Sequence, residues 1–195
     1  MTEITTYTVD ELDWWAQDRA YAIWRSDREY GWTRENATTL AAFTDHFPVR
    51  VTDWSYGMGS SDIEWEYTGD PAVGALRGIR LAAHLWNRYR PVLYRSKVYW
   101  GPTGKQRYSR IRLERDPYGL TGYYLDGVIL GPIYRFLDHP DPTTDFVTLL
   151  GDCLWAWVAE CQRDLEATYS WETFLQECRD FGYRFSADGE VCYGL

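Results

Sequence analysis

Apolar residues recur along this chain with two different spacings, and the changes between them divide it into predicted helices and strands. Helical spacing predicts helices from residue 10 to about 26, from 33 to about 46, over 72–90, near 127–138, from about 144 to 168, and from a cap at Ser170 to a stop at Gly182. Strict alternation predicts strands over 3–9, 49–56, 62–68 and 107–113, and a final hairpin turn at Asp188 and Gly189. The pattern therefore predicts a helix-rich α+β single domain over residues 1–195, with small antiparallel β-hairpins.

The stretch 91–106 fits neither spacing. It is aromatic and basic and contains a Gly-Pro-Thr-Gly turn at 101–104, so we expect it to be irregular. The helix before it should stop ahead of Pro91, because proline lacks the N–H group that a helix interior needs.

Charge is distributed along the chain far less evenly than the net value of −9 indicates. Residues 1–70 carry 5 basic and 14 acidic side chains, residues 77–115 carry 11 and 1, and residues 116–195 carry 4 and 14. A basic block at 77–115 thus lies between acidic blocks at 1–70 and 116–195. Such asymmetry concerns partners and association rates and does not determine the fold.

The basic block also holds aromatic residues between its arginines, a combination typical of contact surfaces. In the predicted strand, Tyr108, Arg110 and Arg112 should face one way, and Ser109, Ile111 and Leu113 the other. We predict that this block binds a protein or a nucleic acid through Arg88, Tyr89, Arg95, Lys97, Trp100, Lys105, Arg107, Tyr108, Arg110 and Arg112.

An acidic row forms the alternative contact face. Asp62, Glu64 and Glu66 share one face of the predicted strand at 62–68, roughly 6.8 Å apart, which is close to the phosphate spacing along one DNA strand. If the strand at 107–113 pairs with 62–67, Arg110 and Arg112 would face Glu64 and Glu66, and the basic block would be neutralised internally. A solvated strand face is the simplest interpretation of the row.

No motif defines a catalytic site. The chain has three histidines, of which His84 lies at helical spacing from Arg80 and Arg88, a neighbourhood that predicts a lowered pKa. The GMGSS turn at 57–61 joins two strands and is not a nucleophile elbow, and GPTGK at 101–105 lacks the first glycine and the Ser or Thr of a phosphate-binding loop. We expect a protein that is not an enzyme and that needs no cofactor or metal; a metal-dependent hydrolase using the acidic row is the alternative.

The cysteines and the apolar runs bear on the compartment. Cys153, Cys161, Cys178 and Cys192 contain no C-x-x-C pair, so we predict reduced, mostly buried thiols. No secretory signal pattern opens the sequence, and no apolar run is long enough to span a membrane. We expect a cytoplasmic protein of the bacterial cytosol that has no membrane partner.

Several segments resemble a family of small proteins from phages and bacterial mobile elements that are described as uncharacterised or as an antitoxin of a toxin–antitoxin stability system. The similar segments are YTVDELDWWAQDRAYAIWR, NATTLAAFTDHFPV, DWSYGMGSSDIEWEYTGD, RGIRLAAHLWN, LTGYYLDGVILGPIYRFL and ETFLQECRDFGYRFSADGEVCY. Inhibitors of CRISPR nucleases are expected among similar proteins. The resemblance implies a phage or mobile-element protein that inhibits a host defence nuclease complex by stoichiometric surface occlusion; the alternative is a nucleic-acid-binding regulator or antitoxin that uses residues 77–115.

Overall fold

The computed structural model describes residues 5–192. Within them lie seven α-helices: α1 Trp14–Ser26, α2 Thr33–His46, α3 Pro71–Gly74, α4 Gly78–Leu93, α5 Tyr124–Asp138, α6 Phe146–Thr168 and α7 Trp171–Asp180. Two separate antiparallel sheets pair β1 Val49–Gly57 with β2 Ser60–Tyr67, and β3 Tyr94–Trp100 with β4 Gln106–Arg115. The predicted helix-rich α+β class is confirmed, with 52% of the structure helical. Among residues 5–192, no helix has both the length and the apolar character needed to cross a membrane.

Contacts within the chain group it into two compact units. Unit 1 consists of the two ends, up to residue 31 and from residue 163 onward, and unit 2 consists of residues 32–162. Each unit has its own cluster of buried apolar side chains. The expectation of a single domain stays a prediction.

Unit 2 is built around buried aromatic side chains. Trp157 of α6 is fully buried, its ring meets that of Trp54 of β1 edge to face at 5.4 Å, and its indole N–H donates to the Asn36 carbonyl over 3.2 Å. The β1–β2 sheet turns its apolar face to this core, with Ile63 buried and Trp65 half-buried. The predicted hairpin and its inward face are therefore confirmed.

The helix predicted over 72–90 is two helices. α3 ends at Gly74, and α4 begins at Gly78, whose φ of +52° favours glycine because a Cβ is strained there. α4 then passes Pro91 and ends at Leu93, so the predicted stop ahead of the proline is wrong. Pro91 lies in the last turn of α4, where the missing N–H removes one hydrogen bond from a helix that is about to end.

The expectation of an irregular stretch at 91–106 is also wrong, because β3 occupies Tyr94–Trp100. β4 contains the predicted strand at 107–113 and is longer at both ends. It pairs with β3 across the turn at 101–105 and does not pair with β2. A short turn between chain neighbours makes this pairing favourable, since little loop-closure entropy is lost. The pairing of 107–113 with 62–67, which the sequence leaves open as an alternative, therefore does not occur.

Unit 1 packs α1 and α7 around a small cluster that includes Ala16, Ala20, Phe174 and Phe185. The strand predicted at 3–9 is wrong for its described part: only Tyr7 pairs, as an isolated bridge with Phe185, and residues 3 and 4 lie outside the described residues.

Both ends of unit 1 are less regular than the sequence predicts. Val9–Glu11 form a single 3₁₀ turn ahead of α1, closed by a hydrogen bond from the Thr8 N–H to the Glu11 carboxylate. The predicted final hairpin is a turn closed by one isolated bridge, with Gly189 at a φ of +84°. Ser170 caps α7 and Gly182 has a φ of +63°, as predicted.

Candidate binding surface on the β3–β4 hairpin

The outer half of the β3–β4 hairpin has two chemically different faces. Register pairs Val98 with Tyr108, Tyr99 with Arg107, and Trp100 with Gln106. Since directly opposed residues share a face and faces alternate along a strand, Trp100 and Tyr108 lie on one face and Tyr99 and Arg107 on the other. The Trp100 and Tyr108 side chains are 71% and 67% exposed. The hairpin therefore presents an aromatic face and a cationic face.

The turn that closes this hairpin is the GPTGK segment. The Gly101 N–H donates to the Lys105 carbonyl over 2.9 Å, and Gly104 has a φ of +71°. The segment is thus a strand-to-strand turn, and Lys105 is exposed at its end.

A large bulge interrupts β4 nearer its base. Ser96 pairs with Leu113 and Val98 with Tyr108, so the four residues at 109–112 oppose the single residue Lys97. The Ser109 hydroxyl oxygen accepts hydrogen bonds from the N–H groups of residues 111 and 112, over 3.2 and 2.9 Å. The bulge breaks the strand alternation.

This bulge corrects the predicted facing of β4. Ile111 is expected to face opposite to Arg110, yet these two residues line one groove, and Ile111 is 91% exposed. The one local signal for the bulge is Ser109, whose hydroxyl can accept backbone N–H groups in place of a carbonyl of the paired strand.

Most cations of the basic block form no ion pair with an acidic side chain in the described part of the chain. Within residues 5–192, three of the eleven form ion pairs: Arg77 with Asp145, Arg95 with Glu114 and Asp116, and Arg115 with Asp138. The eight that form none are Arg80, Arg88, Arg90, Lys97, Lys105, Arg107, Arg110 and Arg112. All eight are exposed, so the block is available to a partner.

Three of the predicted contact residues have other roles or surroundings. Tyr89 is buried in the core, where its ring stacks on Phe47 at 4.5 Å, so it does not contribute to the surface. Arg95 is held by Glu114 at 3.0 Å. Arg88 is exposed on α4, outside the hairpin.

The acidic row lies on the exposed face of β2, as the alternation predicts. Glu66 is paired with Arg50, so the row is partly neutralised. Asp62 and Glu64 form no ion pair among the described residues, and Asp53 of β1 lies opposite Glu64 in the register. The acidic row is therefore a smaller surface than the basic hairpin.

The base of the hairpin is anchored to α5 by a buried tyrosine. The Tyr134 hydroxyl lies 2.9 Å from the Leu93 carbonyl and 2.8 Å from the Asp116 carbonyl. The Arg115 guanidinium lies over the Tyr134 ring and pairs with Asp138. Burial raises the pKa of Tyr134, which keeps its hydroxyl a hydrogen-bond donor. These contacts fix both strands where they leave the core.

A buried carboxylate orders the loop between β4 and α5. Asp126 accepts hydrogen bonds from the N–H groups of Leu120, Thr121 and Gly122 over 3.1, 2.7 and 2.9 Å. Its other oxygen accepts from the Thr121 hydroxyl over 2.6 Å. In the sequence Asp126 looks like an ordinary first-turn acid of a helix, so its structural role is not evident there.

Chemically reactive groups are few in the described part of the chain. Burial, and secondarily the charge of Arg88, lower the pKa of His84, as the sequence predicts in direction. No disulfide joins the four cysteines within residues 5–192, and three of them are buried, as predicted; burial raises the pKa of Cys178 to about 11. No group of three or more His, Cys, Asp or Glu side chains within residues 5–192 is placed to hold a metal ion.

Comparison of the chain with protein-family models, with curated proteins and with solved structures finds no match.

Proposed function

We propose that this protein is a non-enzymatic binding protein that inhibits a host defence nuclease complex, of the anti-CRISPR type, by covering a surface that the complex needs. The resemblance of its segments to small phage and mobile-element proteins supports this class of function. The unpaired basic and aromatic hairpin supports binding as the mode of action.

The observation that carries the proposal is the set of eight exposed cations that form no ion pair among residues 5–192, five of which lie on the hairpin beside exposed aromatic rings. A chain with a net charge of −9 has enough carboxylates to neutralise them, yet no carboxylate in the described part of the chain pairs with them. Arginine, tryptophan and tyrosine are the side chains that dominate binding energy at protein interfaces. The hairpin is therefore the first contact, and the acidic row of β2 is a second, weaker one.

Inhibition by occlusion requires one molecule of inhibitor for each molecule of target. We expect cleavage by a purified, guide-loaded CRISPR effector to fall in proportion to added protein and to stop near equal amounts. Abolition of cleavage by a small fraction of one equivalent would contradict occlusion, because it would require turnover.

Variants of the hairpin test which surface is used. Combined replacement Tyr108→Ala and Arg110→Ala should weaken inhibition by roughly 30-fold or more, since hot-spot truncations cost about 2 kcal/mol or more. Arg34→Ala is the matched control, because Arg34 is an exposed cation of α2 that forms no ion pair among the described residues. If Arg34→Ala weakens inhibition by the same factor, inhibition depends on net charge and not on contacts of the hairpin.

Direct nucleic-acid binding is the second candidate, and the two-faced hairpin favours it. Trp100 and Tyr108 offer rings on which bases can stack, while the exposed Arg110 and Arg112 of the bulge can contact phosphates. Retention of DNA should then weaken steeply with added salt and fall by a similar factor for all sequences in an Arg110→Ala, Arg112→Ala variant. Unchanged retention in this variant would exclude the hairpin as a nucleic-acid site.

A further inference from the structure

A groove runs between the end of α4 and the base of the β3–β4 hairpin. Its volume is about 480 Å³, within the range of roughly 300–1,000 Å³ that is typical of ligand sites. Trp86, Arg90 and Pro91 line it from the helix side, and Arg110, Ile111 and Leu113 line it from the hairpin side. The bulge of β4 forms the hairpin side, because two of these three residues lie within it.

The charge of the groove selects for an anionic occupant. Arg90 and Arg110 both line it, both are exposed, and neither forms an ion pair among residues 5–192. Among the residues that the structure describes, no acidic side chain lines the groove. Two guanidinium groups without a counter-charge at one groove favour a carboxylate or phosphate, which the planar guanidinium can bind with two hydrogen bonds.

Apolar side chains also line the groove, beside Ser96. Pro91 and Leu113 provide aliphatic surface, and Ile111 stands at the hairpin side with 91% of its side chain exposed. An exposed isoleucine between two arginines loses contact with water only when a partner covers it. The occupant must therefore combine negative charge with an apolar group.

The aromatic rings at the groove favour a peptide over a nucleic-acid base. Trp86 and Tyr94 pack edge to face, with centroids 5.0 Å apart, and Tyr94 in turn packs edge to face with Tyr134 at 6.4 Å. These rings are already engaged with one another, whereas base stacking needs an open, parallel ring face. An aliphatic or aromatic side chain of a peptide has no such requirement.

We propose that this groove binds an acidic peptide segment of a partner protein, with a carboxylate between Arg90 and Arg110 and an adjacent apolar side chain on Pro91 and Leu113. The inference rests on the proposed binding function and specifies the chemistry of the partner surface.

Fluorescence anisotropy with defined probes tests the groove on the full chain. The probe is a labelled decapeptide of alternating glutamate and leucine; the comparison probes are the same peptide with glutamine for glutamate, and decathymidylate. We expect the acidic peptide to bind at least about tenfold more tightly than either comparison probe, since charge-assisted hydrogen bonds carry the contact. Absence of binding, equal binding of the glutamine peptide, or tighter binding of decathymidylate would overturn the proposal.

Variants locate the binding on the protein. Arg90→Ala and Arg110→Ala should each weaken peptide binding about tenfold, and Arg110→Lys should restore it only in part because it keeps the charge without the fork. Arg80→Ala is the matched control, since Arg80 is also an exposed cation of α4 without an ion pair in the described residues and lies outside the groove. Equal weakening by Arg80→Ala would mean diffuse attraction and would overturn the site.

The two proposals can fail separately. If the groove variants lose the peptide while the chain inhibits no CRISPR effector, the groove stands and the proposed function fails. If Tyr108→Ala with Arg110→Ala abolishes inhibition while the acidic peptide never binds, the function stands and the groove inference fails.

Discussion

Asp126 offers the sharpest quantitative test of the structure. Its carboxylate is fully buried, and one of its oxygens accepts three backbone N–H groups of the loop that follows β4. Its other oxygen is 2.6 Å from the Thr121 hydroxyl and 3.4 Å from the Thr39 hydroxyl. Two substitutions at this position, Asp126→Ala and Asp126→Asn, should differ greatly in cost.

Alanine removes every acceptor and leaves three N–H groups without a partner. Because each orphaned buried group costs about 1–3 kcal/mol, and loops relax in part, we expect Asp126→Ala to lower the free energy of unfolding by about 3–5 kcal/mol. Asparagine can turn its carbonyl oxygen to the same three N–H groups and donate its amide to the two hydroxyls, which can also accept. We therefore expect Asp126→Asn to cost only about 1 kcal/mol.

Urea unfolding followed by tryptophan fluorescence measures both costs. The expected result is a gap of at least about 2 kcal/mol between the alanine and asparagine variants. Equal destabilisation by both would refute the reasoning, because it would mean that the negative charge matters and the acceptor geometry does not. If Asp126→Ala lowers the free energy of unfolding by less than about 1 kcal/mol, the three hydrogen bonds make no net contribution to stability.

Two further predictions concern the hairpin base and the basic helix. Tyr134→Phe removes the hydroxyl that bridges the carbonyls of Leu93 and Asp116. Amide hydrogen exchange in β3 and β4 should therefore accelerate about tenfold, while exchange in α7 stays unchanged. If β3 and β4 exchange at the same rate in the variant as in the unmodified protein, the hydroxyl is not needed to anchor the hairpin. Burial in the folded chain lowers the pKa of His84, so the unfolded state binds a proton at this imidazole more readily than the folded state does. The free energy of unfolding should therefore fall as the pH is lowered through 6.5, the ordinary pKa of histidine. His84→Gln should reduce this decline between pH 8 and pH 5.5 in urea titrations, and an unchanged decline would contradict the assignment.

Local signals in the sequence are sufficient for many of the elements. The helix predicted from 33 to about 46 corresponds to α2, because its apolar stripe and the following Pro48 both act within a few residues. Ser170 and Gly182 are likewise recognisable, since caps depend on one side chain or one φ angle. The inward face of β2 follows from alternation alone.

What the sequence does not reveal depends on contacts between distant or irregular segments. β3 cannot be predicted from the sequence, because its basic and aromatic residues do not show the apolar alternation of a half-buried strand. The strand is stabilised by its pairing with β4. Whether Arg110 and Arg112 form ion pairs with Glu64 and Glu66 depends on which strand β4 pairs with, and residue types alone do not determine that pairing. Tyr89 is wrongly predicted as a contact residue, and the role of Asp126 is not predicted, for a related reason: burial of a polar side chain is a property of the packed structure and has no local signature.

The bulge of β4 has a consequence for how this protein can change over time. Residues 109–112 lie outside the pairing ladder, while the residues on either side stay in register with Ser96 and Val98. Ser109 holds the bulge through its hydroxyl, but the side chains of residues 110–112 are exposed, so substitutions at 110–112 alter what a partner meets without removing a pairing or a core contact. The segment can therefore acquire a new specificity while the scaffold keeps its stability, as variable loops on a fixed framework do.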